Sequence, residues 1–209
     1  MKPSLNLLIV DDHPVIVDAY VSIISSSIDD YTFNFIKAND CESAYKIIEL
    51  SSTTKQTIEI ALLDISLPTF KEEKIFCGGD LAKIIRSKFP TCKIIMITHH
   101  SEGLIVDTIY KSVNPEGFLN KADINFDTFS EVIKAILNGI TYISETINKS
   151  LIDLIKSNIN SDSIDYQIIT LLEKGIKTKD IPNYIDLSLS AIEKRKATIK
   201  FYKNQPYRV

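Results

Sequence analysis

Two adjacent carboxylates, Asp11 and Asp12, follow directly on the apolar run Leu7-Leu8-Ile9-Val10, and His13-Pro14 come next. Such a run reads as a buried strand, and open α/β sheets keep their chemistry at the carboxyl ends of strands. A second apolar run, residues 58–63 broken only by Glu59, delivers Asp64. A third, Ile94-Ile95-Met96-Ile97, delivers Thr98, and a short fourth, Gly117-Phe118-Leu119, delivers Lys121. In a parallel sheet these groups arrive at one edge, so three acids, a hydroxyl and an ammonium meet in one pocket. Mg²⁺ demands hard oxygen ligands, and Asp12 and Asp64 with a backbone carbonyl near Ser66 supply them. Asp64 is then free to accept a phosphoryl group. Charge building on the phosphoryl oxygens during transfer is met by the metal, by Lys121 and by Thr98. Taken singly, acids and threonines after strands also serve as helix caps.

The elements that must position these groups are visible as alternating patterns. Pro14 suits the first turn of a helix, where its missing N–H has no partner to lose. Amphipathic helical spacing covers residues 15–27, 41–50 with Asp40 as cap, 81–89, 102–111 and 126–137, and a further strand is expected over 33–37. Alternation of this kind folds as an α/β parallel sheet with helices on both faces.

The order acidic pair, Asp, Thr, Lys, each after its own apolar strand, resembles the receiver domain of bacterial two-component response regulators over about residues 5–137. The resemblance implies a doubly wound five-stranded sheet of order 2-1-3-4-5. It implies Asp11 and Asp12 as the acidic pair that binds Mg²⁺, Asp64 as phosphoacceptor and metal ligand, and the Ser66 carbonyl as a further ligand. Thr98 then matches the switch hydroxyl, Lys121 the phosphate-binding lysine, and Phe118 the aromatic that rotates inward on activation. A sensor histidine kinase is the implied phosphodonor, with a homodimer as the phosphorylated form. Two departures stand out. Pro68 is kept, but residues 69–77 look like an insertion beside the site, either a tolerated surface loop or one that shields the site or docks a partner. His99 and His100 follow Thr98 where a small residue is usual first, and a bulky imidazole at His99 is expected to narrow access to Asp64 or to slow loss of the phosphoryl group.

Length and composition agree with two domains. The chain has 209 residues, 44% of them hydrophobic, and a net charge of −3, enough for two cores. Residues 1–125 carry 12 Lys/Arg against 17 Asp/Glu, whereas 161–209 carry 9 against 6, so the acidic part suits a cation and the basic part a polyanion. Cys41, Cys77 and Cys92 form no Cys-x-x-Cys pair and read as reduced thiols. No stretch approaches the length of a membrane span and no signal-peptide core opens the chain, so the cytoplasm is the expected location.

A receiver is expected over 1–138, a linker with a helix near 147–155 over 139–160, and a small all-α domain over 161–209. Helical patterns cover 164–174, 178–185 and 190 to about 203. The phrases from Gln167 to Gly175, Lys179-Asp180-Ile181 and Leu187 to Ile192 are similar to the helix-turn-helix output domain of NarL/LuxR-type regulators, whose last helix enters the DNA major groove. Pro182, Ala191 and Glu193 depart from that pattern. Lys194, Arg195, Lys196 and Lys200 are the residues expected to meet DNA, with Ile192, Ile199 and Tyr202 turned to the core. A phosphorylation-controlled DNA-binding regulator, whose only chemistry is on its own Asp64, is the expected function. An adaptor whose helical tail docks a protein is the alternative. A Mg²⁺-dependent phosphohydrolase would need a second acid in the Asp64 loop, where Ser66 stands instead.

Overall fold

The computed structural model describes residues 2–158, 164–173 and 175–199. The chain divides into two compact units, Met1–Ile147 and Asn148–Val209.

Six strands build the first unit: β1 (Ser4–Val10), β2 (Thr32–Ala38), β3 (Ile60–Asp64), β4 (Lys93–Thr98), β5 (Gly117–Asn120) and β6 (Tyr142–Ile143). They lie in the order β2-β1-β3-β4-β5-β6 with every pair parallel. The central strand β3 is buried along its whole length, which is why it reads as an unbroken apolar run. The expected order 2-1-3-4-5 is observed, and the strand count is corrected from five to six. The added strand is held by Tyr142 N–H donating to Glu116 O (2.8 Å) and Ser144 N–H to Phe118 O (2.9 Å).

Register places the chemistry. Val10 lies opposite Leu63, Asp64 opposite Ile97 and Thr98 opposite Asn120. Strands spaced about 4.8 Å apart therefore release Asp11, Asp64, Thr98 and Lys121 along one edge. The connecting helices are α1 (Pro14–Ser27), α2 (Cys41–Thr54), α3 (Gly78–Lys88), α4 (Gly103–Val113) and α5 (Phe126–Leu137). Asp40 caps α2 by accepting from Ser43 N–H at 2.7 Å. That helix runs four residues past its expected end, because the Thr53 and Thr54 hydroxyls fold back onto Leu50 O and keep the polar turn helical until Lys55 at φ 58° stops it. Asn125 and Thr128 close a reciprocal box at the start of α5. Its end is a Schellman turn, with Gly139 at φ 80°, Gly139 N–H on Ile136 O and Ile140 N–H on Ala135 O. That reversal aims the chain into β6.

Helices α1 and α5 cover one face of the sheet, where Tyr20 stacks on Phe129 with ring centroids 4.8 Å apart. Leu7, Ile9, Leu62 and Leu119 share this core, and each fully buried aliphatic side chain there contributes about 2 kcal/mol. By strand alternation Leu8, Leu63, Met96 and Phe118 point to the other face, under α2, α3 and α4. At the amino-terminal edge, Arg86 joins α3 to the sheet through Cys92 O and Asn114 O (3.0 Å each) and Glu116 (2.9 Å). The Glu116 carboxylate also accepts from Ile94 N–H at 2.7 Å. The insertion is pinned rather than loose: Phe70 and Ile75 exchange both backbone hydrogen bonds, at 2.8 and 3.0 Å, and Ile75 is buried.

The stretch 139–160, expected as a linker, is built into elements as far as it is described. It supplies β6 and α6 (Glu145–Asn158), and the division between units falls within that helix. Asp123 fixes the helix start by accepting from Thr146 N–H (3.0 Å) and its hydroxyl (2.7 Å). The second unit adds α7 (Ile164–Glu173), a 3₁₀ helix over Thr178–Asn183 and α8 (Leu189–Ile199). Its core is Ile152, Ile168, Ile181, Ile185 and Ile192. The α-helix expected over 178–185 is shorter and tighter, because Pro182 inside it has no N–H to give. Lys200 and Tyr202, and the side chain of Ile199, lie outside the described residues.

Candidate functional site

Lys121 Nζ donates to Asp11 Oδ2 at 2.8 Å and to Asp64 Oδ2 at 2.9 Å, with the three side chains only 5%, 2% and 3% exposed. Burial on its own would depress the ammonium, but hydrogen bonds and charges from Asp11 and Asp64 overcome it and hold Lys121 above its ordinary pKa. Three strands thus place two buried carboxylates around one buried cation, as the spacing of the sequence motifs required.

Asp12 sits at the mouth with its side chain 34% exposed, 2.8 Å from His13 Nδ1. The His13 N–H donates to Asp11 Oδ1 at 3.0 Å, and Ser66 N–H reaches Asp64 Oδ1 at 3.4 Å. Donor atoms of Asp11, Asp12 and His13 lie within 4.8 Å of one another. Carboxylate oxygens dominate this set, which fits a hard divalent cation. Tyr20 lies beneath it, and burial, reinforced by the charges of Asp11 and Asp64, pushes its phenol well above the usual range, so it stays neutral.

Thr98 is fully buried, and its Oγ1 accepts from His100 N–H at 2.8 Å. Phe118, paired with Met96 across the strands, lies on the same sheet face as Thr98 and is fully buried. Of the two histidines, His99 is exposed. The imidazole at the mouth is His100, whose Nε2 lies 3.0 Å from Ser66 Oγ. The expectation for His99 is corrected accordingly: the turn after β4 brings the second histidine, not the first, across the gap.

Three positions had escaped the sequence reading. Gly78 donates its N–H to Ile65 O at 3.0 Å and lies so close to the end of β3 that a Cβ there would stand 1.8 Å from Asp64 O. Asn120 caps the short helix Lys121–Asp123 through Ala122 N–H (2.9 Å) and reaches His100 O (3.3 Å). Ser144, also buried, accepts from Asn120 N–H at 2.9 Å. A strand-ending Asn before a turn is a recognisable cap signal, whereas no local pattern announces a close backbone approach.

Burial raises the Cys92 thiol to about 12, and burial followed by the nearby Cys77 raises Cys41 to about 11. Cys77 is partly exposed at the start of α3. At pH 8 iodoacetamide should therefore modify Cys77 alone in the folded protein and all three thiols after denaturation, as peptide mass spectrometry will show.

In the second unit, Ser188 opens α8 by accepting from Ala191 N–H at 3.3 Å. Glu193, Lys194 and Arg195 are exposed. Lys196 differs from its expected outward placement: it turns back and donates to the Thr178 hydroxyl.

Residues 7–134 match the family of response regulator receiver domains. The oxygen regulatory protein NreC of Staphylococcus aureus is 22% identical, over 93% of this chain and 89% of that protein. A structure of the RcsB response regulator of Salmonella typhimurium superposes with a TM-score of 0.62 at 18% identity, covering 100% of this chain and 95% of that one. RcsB from Salmonella enterica serovar Typhimurium, bound to promoter P1flhDC in the presence of the phosphomimetic BeF3⁻, superposes with a TM-score of 0.59 at 19% identity, over 97% and 93% of the two chains. Among the described residues no helix is long and apolar enough to cross a membrane.

Proposed function

Because this chain belongs to the response regulator receiver family, we propose that it is a phosphorylation-switched regulator of transcription, with Asp64 as phosphoacceptor and α8 as the DNA-reading helix. The observation that carries this reading is the buried Lys121 ammonium bridging Asp11 and Asp64.

A sensor kinase carrying a phosphohistidine is the donor. An Asp64 carboxylate oxygen attacks the phosphorus, the O–P bond forms, and the N–P bond breaks with its electron pair returning to the imidazole. Lys121 already touches the attacking carboxylate, so its ammonium stands next to the phosphoryl oxygens as their charge builds and can donate to one of them in place of a carboxylate. Asp11, Asp12, Asp64 and the Ser66 carbonyl would hold Mg²⁺, which when bound neutralises charge on those oxygens. Thr98 offers its hydroxyl from the neighbouring strand, and Phe118 on the same face follows it. The protein performs this chemistry on itself alone and turns over no external substrate.

The solved relative bound to a promoter in the presence of a phosphomimetic supports the DNA-binding half. Lys194 and Arg195 would contact phosphates, giving affinity that falls with salt. Phosphorylation would favour a homodimer that spans two half-sites in the cytoplasm. Two observations favour the protein-docking alternative: the segment before α8 is a 3₁₀ helix, and Lys196 is engaged by Thr178.

Acetyl phosphate with Mg²⁺ should add one phosphoryl group to the wild-type protein, placed on Asp64 by peptide mass spectrometry, and none to Asp64→Asn. Equal labelling of the variant, or an unlabelled wild type, contradicts the assignment.

A further inference from the structure

His100 ties together three of the loops that surround the phosphoacceptor. Its backbone N–H donates to Thr98 Oγ1 at 2.8 Å, and its carbonyl accepts from Asn120 Nδ2 at 3.3 Å. Its ring spans outward in both directions, with Nε2 3.0 Å from Ser66 Oγ and Nδ1 3.1 Å from Glu102 Oε2. Ser66 lies two residues past Asp64, Asn120 immediately precedes Lys121, and Glu102 is the residue from which α4 starts. One residue thus touches the switch hydroxyl, the phosphoacceptor loop, the cap of the lysine turn and the head of a helix.

We propose that His100 is a positioning residue, a clasp whose ring holds the Ser66 loop to the head of α4 in the unphosphorylated protein and is released when Thr98 moves. The inference rests on Asp64 being the phosphoacceptor. The geometry explains the coupling. A shift of the Thr98 hydroxyl toward a phosphoryl group carries the His100 backbone with it, and a ring anchored at both nitrogens cannot follow without giving up one anchor. The ring is 38% and Glu102 63% exposed on their side chains, and Ser66 is exposed as well, so each anchor is a modest solvent-facing contact that a small shift can break. The head of α4 carries Leu104 and Ile105, 69% and 39% exposed, beside a cavity of about 600 Å³ that Ser66 and His100 also line. Release of the clasp therefore alters an apolar surface next to the site, which is the kind of change a partner or a second copy can read.

The test is amide hydrogen exchange of the full chain, comparing α4 with α5 as an internal control, with and without Mg²⁺ and beryllofluoride. Ser66→Ala should raise exchange at the head of α4 about fivefold in the resting protein, the weight of one net hydrogen bond, His100→Ala should raise it at least as much because the Glu102 contact goes too, and both should leave α5 unchanged. The double variant should match His100→Ala, because that change already removes the bond to Ser66. His100→Gln, whose amide nitrogen reaches the place of Nε2 but leaves Nδ1 unreplaced, should recover the Ser66 contact and exchange more slowly than His100→Ala. In wild type beryllofluoride should raise exchange at the head of α4, and in the two alanine variants that difference should shrink. Unchanged α4 exchange in Ser66→Ala, additive effects in the double variant, or an equal rise in α5 overturns the clasp. Failure of beryllofluoride to bind wild type, read by ¹⁹F NMR, would instead refute the phosphoacceptor assignment while the resting-state comparison still judges the clasp.

Discussion

Lys121→Met should lower the unfolding free energy by about 3–5 kcal/mol, measured by urea unfolding without Mg²⁺, and Lys121→Met with Asp64→Asn should recover more than half of that loss. Removing one partner of a buried ion pair leaves an uncompensated charge, and that cost is of this order. Here it is compounded, because Asp11 and Asp64 are 2% and 3% exposed and share one ammonium, so its removal leaves two buried carboxylates facing each other. Neutralising Asp64 removes the repulsion. Asp64→Asn alone should cost little, since Asp11 still pairs with Lys121. Additive losses in the double variant would mean that the three groups do not act as one electrostatic unit.

Gly78→Ala should destabilise the protein by about 3 kcal/mol and slow labelling of Asp64 by acetyl phosphate, while its neighbour Gly79→Ala changes either little. The two glycines open the same helix, yet their surroundings differ. A Cβ at Gly78 meets Asp64 O at 1.8 Å and Asp64 C at 2.9 Å, both backbone atoms at the end of β3. Nothing there can give without moving Asp64, and forced overpacking of that kind costs about 1–3 kcal/mol or more. At Gly79 the nearest atom is Ile109 Cγ1 at 3.3 Å, a side chain that can shift. Similar stability losses for both variants, by thermal unfolding, would show that helix-start flexibility rather than the close approach decides the effect.

The gathering of Asp11, Asp64, Thr98 and Lys121 at one sheet edge was legible because its signals are local. Asp11, Asp64, Thr98 and Lys121 each end an apolar run, and parallel strands carry such residues to one edge wherever register allows. Helix α5 covers the expected 126–137 because Asn125, Thr128 and Gly139 mark both of its ends. What escaped was set by tertiary contacts. The two residues of β6 are too few to show a period of two, and they pair only because the Gly139 turn returns the chain to β5. The need for glycine at position 78 comes from a strand 14 residues earlier in the chain, at Asp64. The reach of His100, and not His99, depends on how the chain leaves β4. In the second unit Pro182 is a departure from the family pattern in the sequence, and the backbone around it is a 3₁₀ helix rather than the α-helix expected over 178–185. The inward turn of Lys196 depends on Thr178, 18 residues away, and no helical wheel of α8 alone contains that information.

The most direct measurement is selection of bound fragments from genomic DNA by the full-length protein in Mg²⁺, with and without beryllofluoride, at low salt. A phosphorylation-switched transcription regulator should enrich a two-part site more strongly in beryllofluoride, and Asp64→Asn should lose that difference. No enrichment in either state would contradict DNA recognition by α8 and leave the helical unit as a protein-docking module.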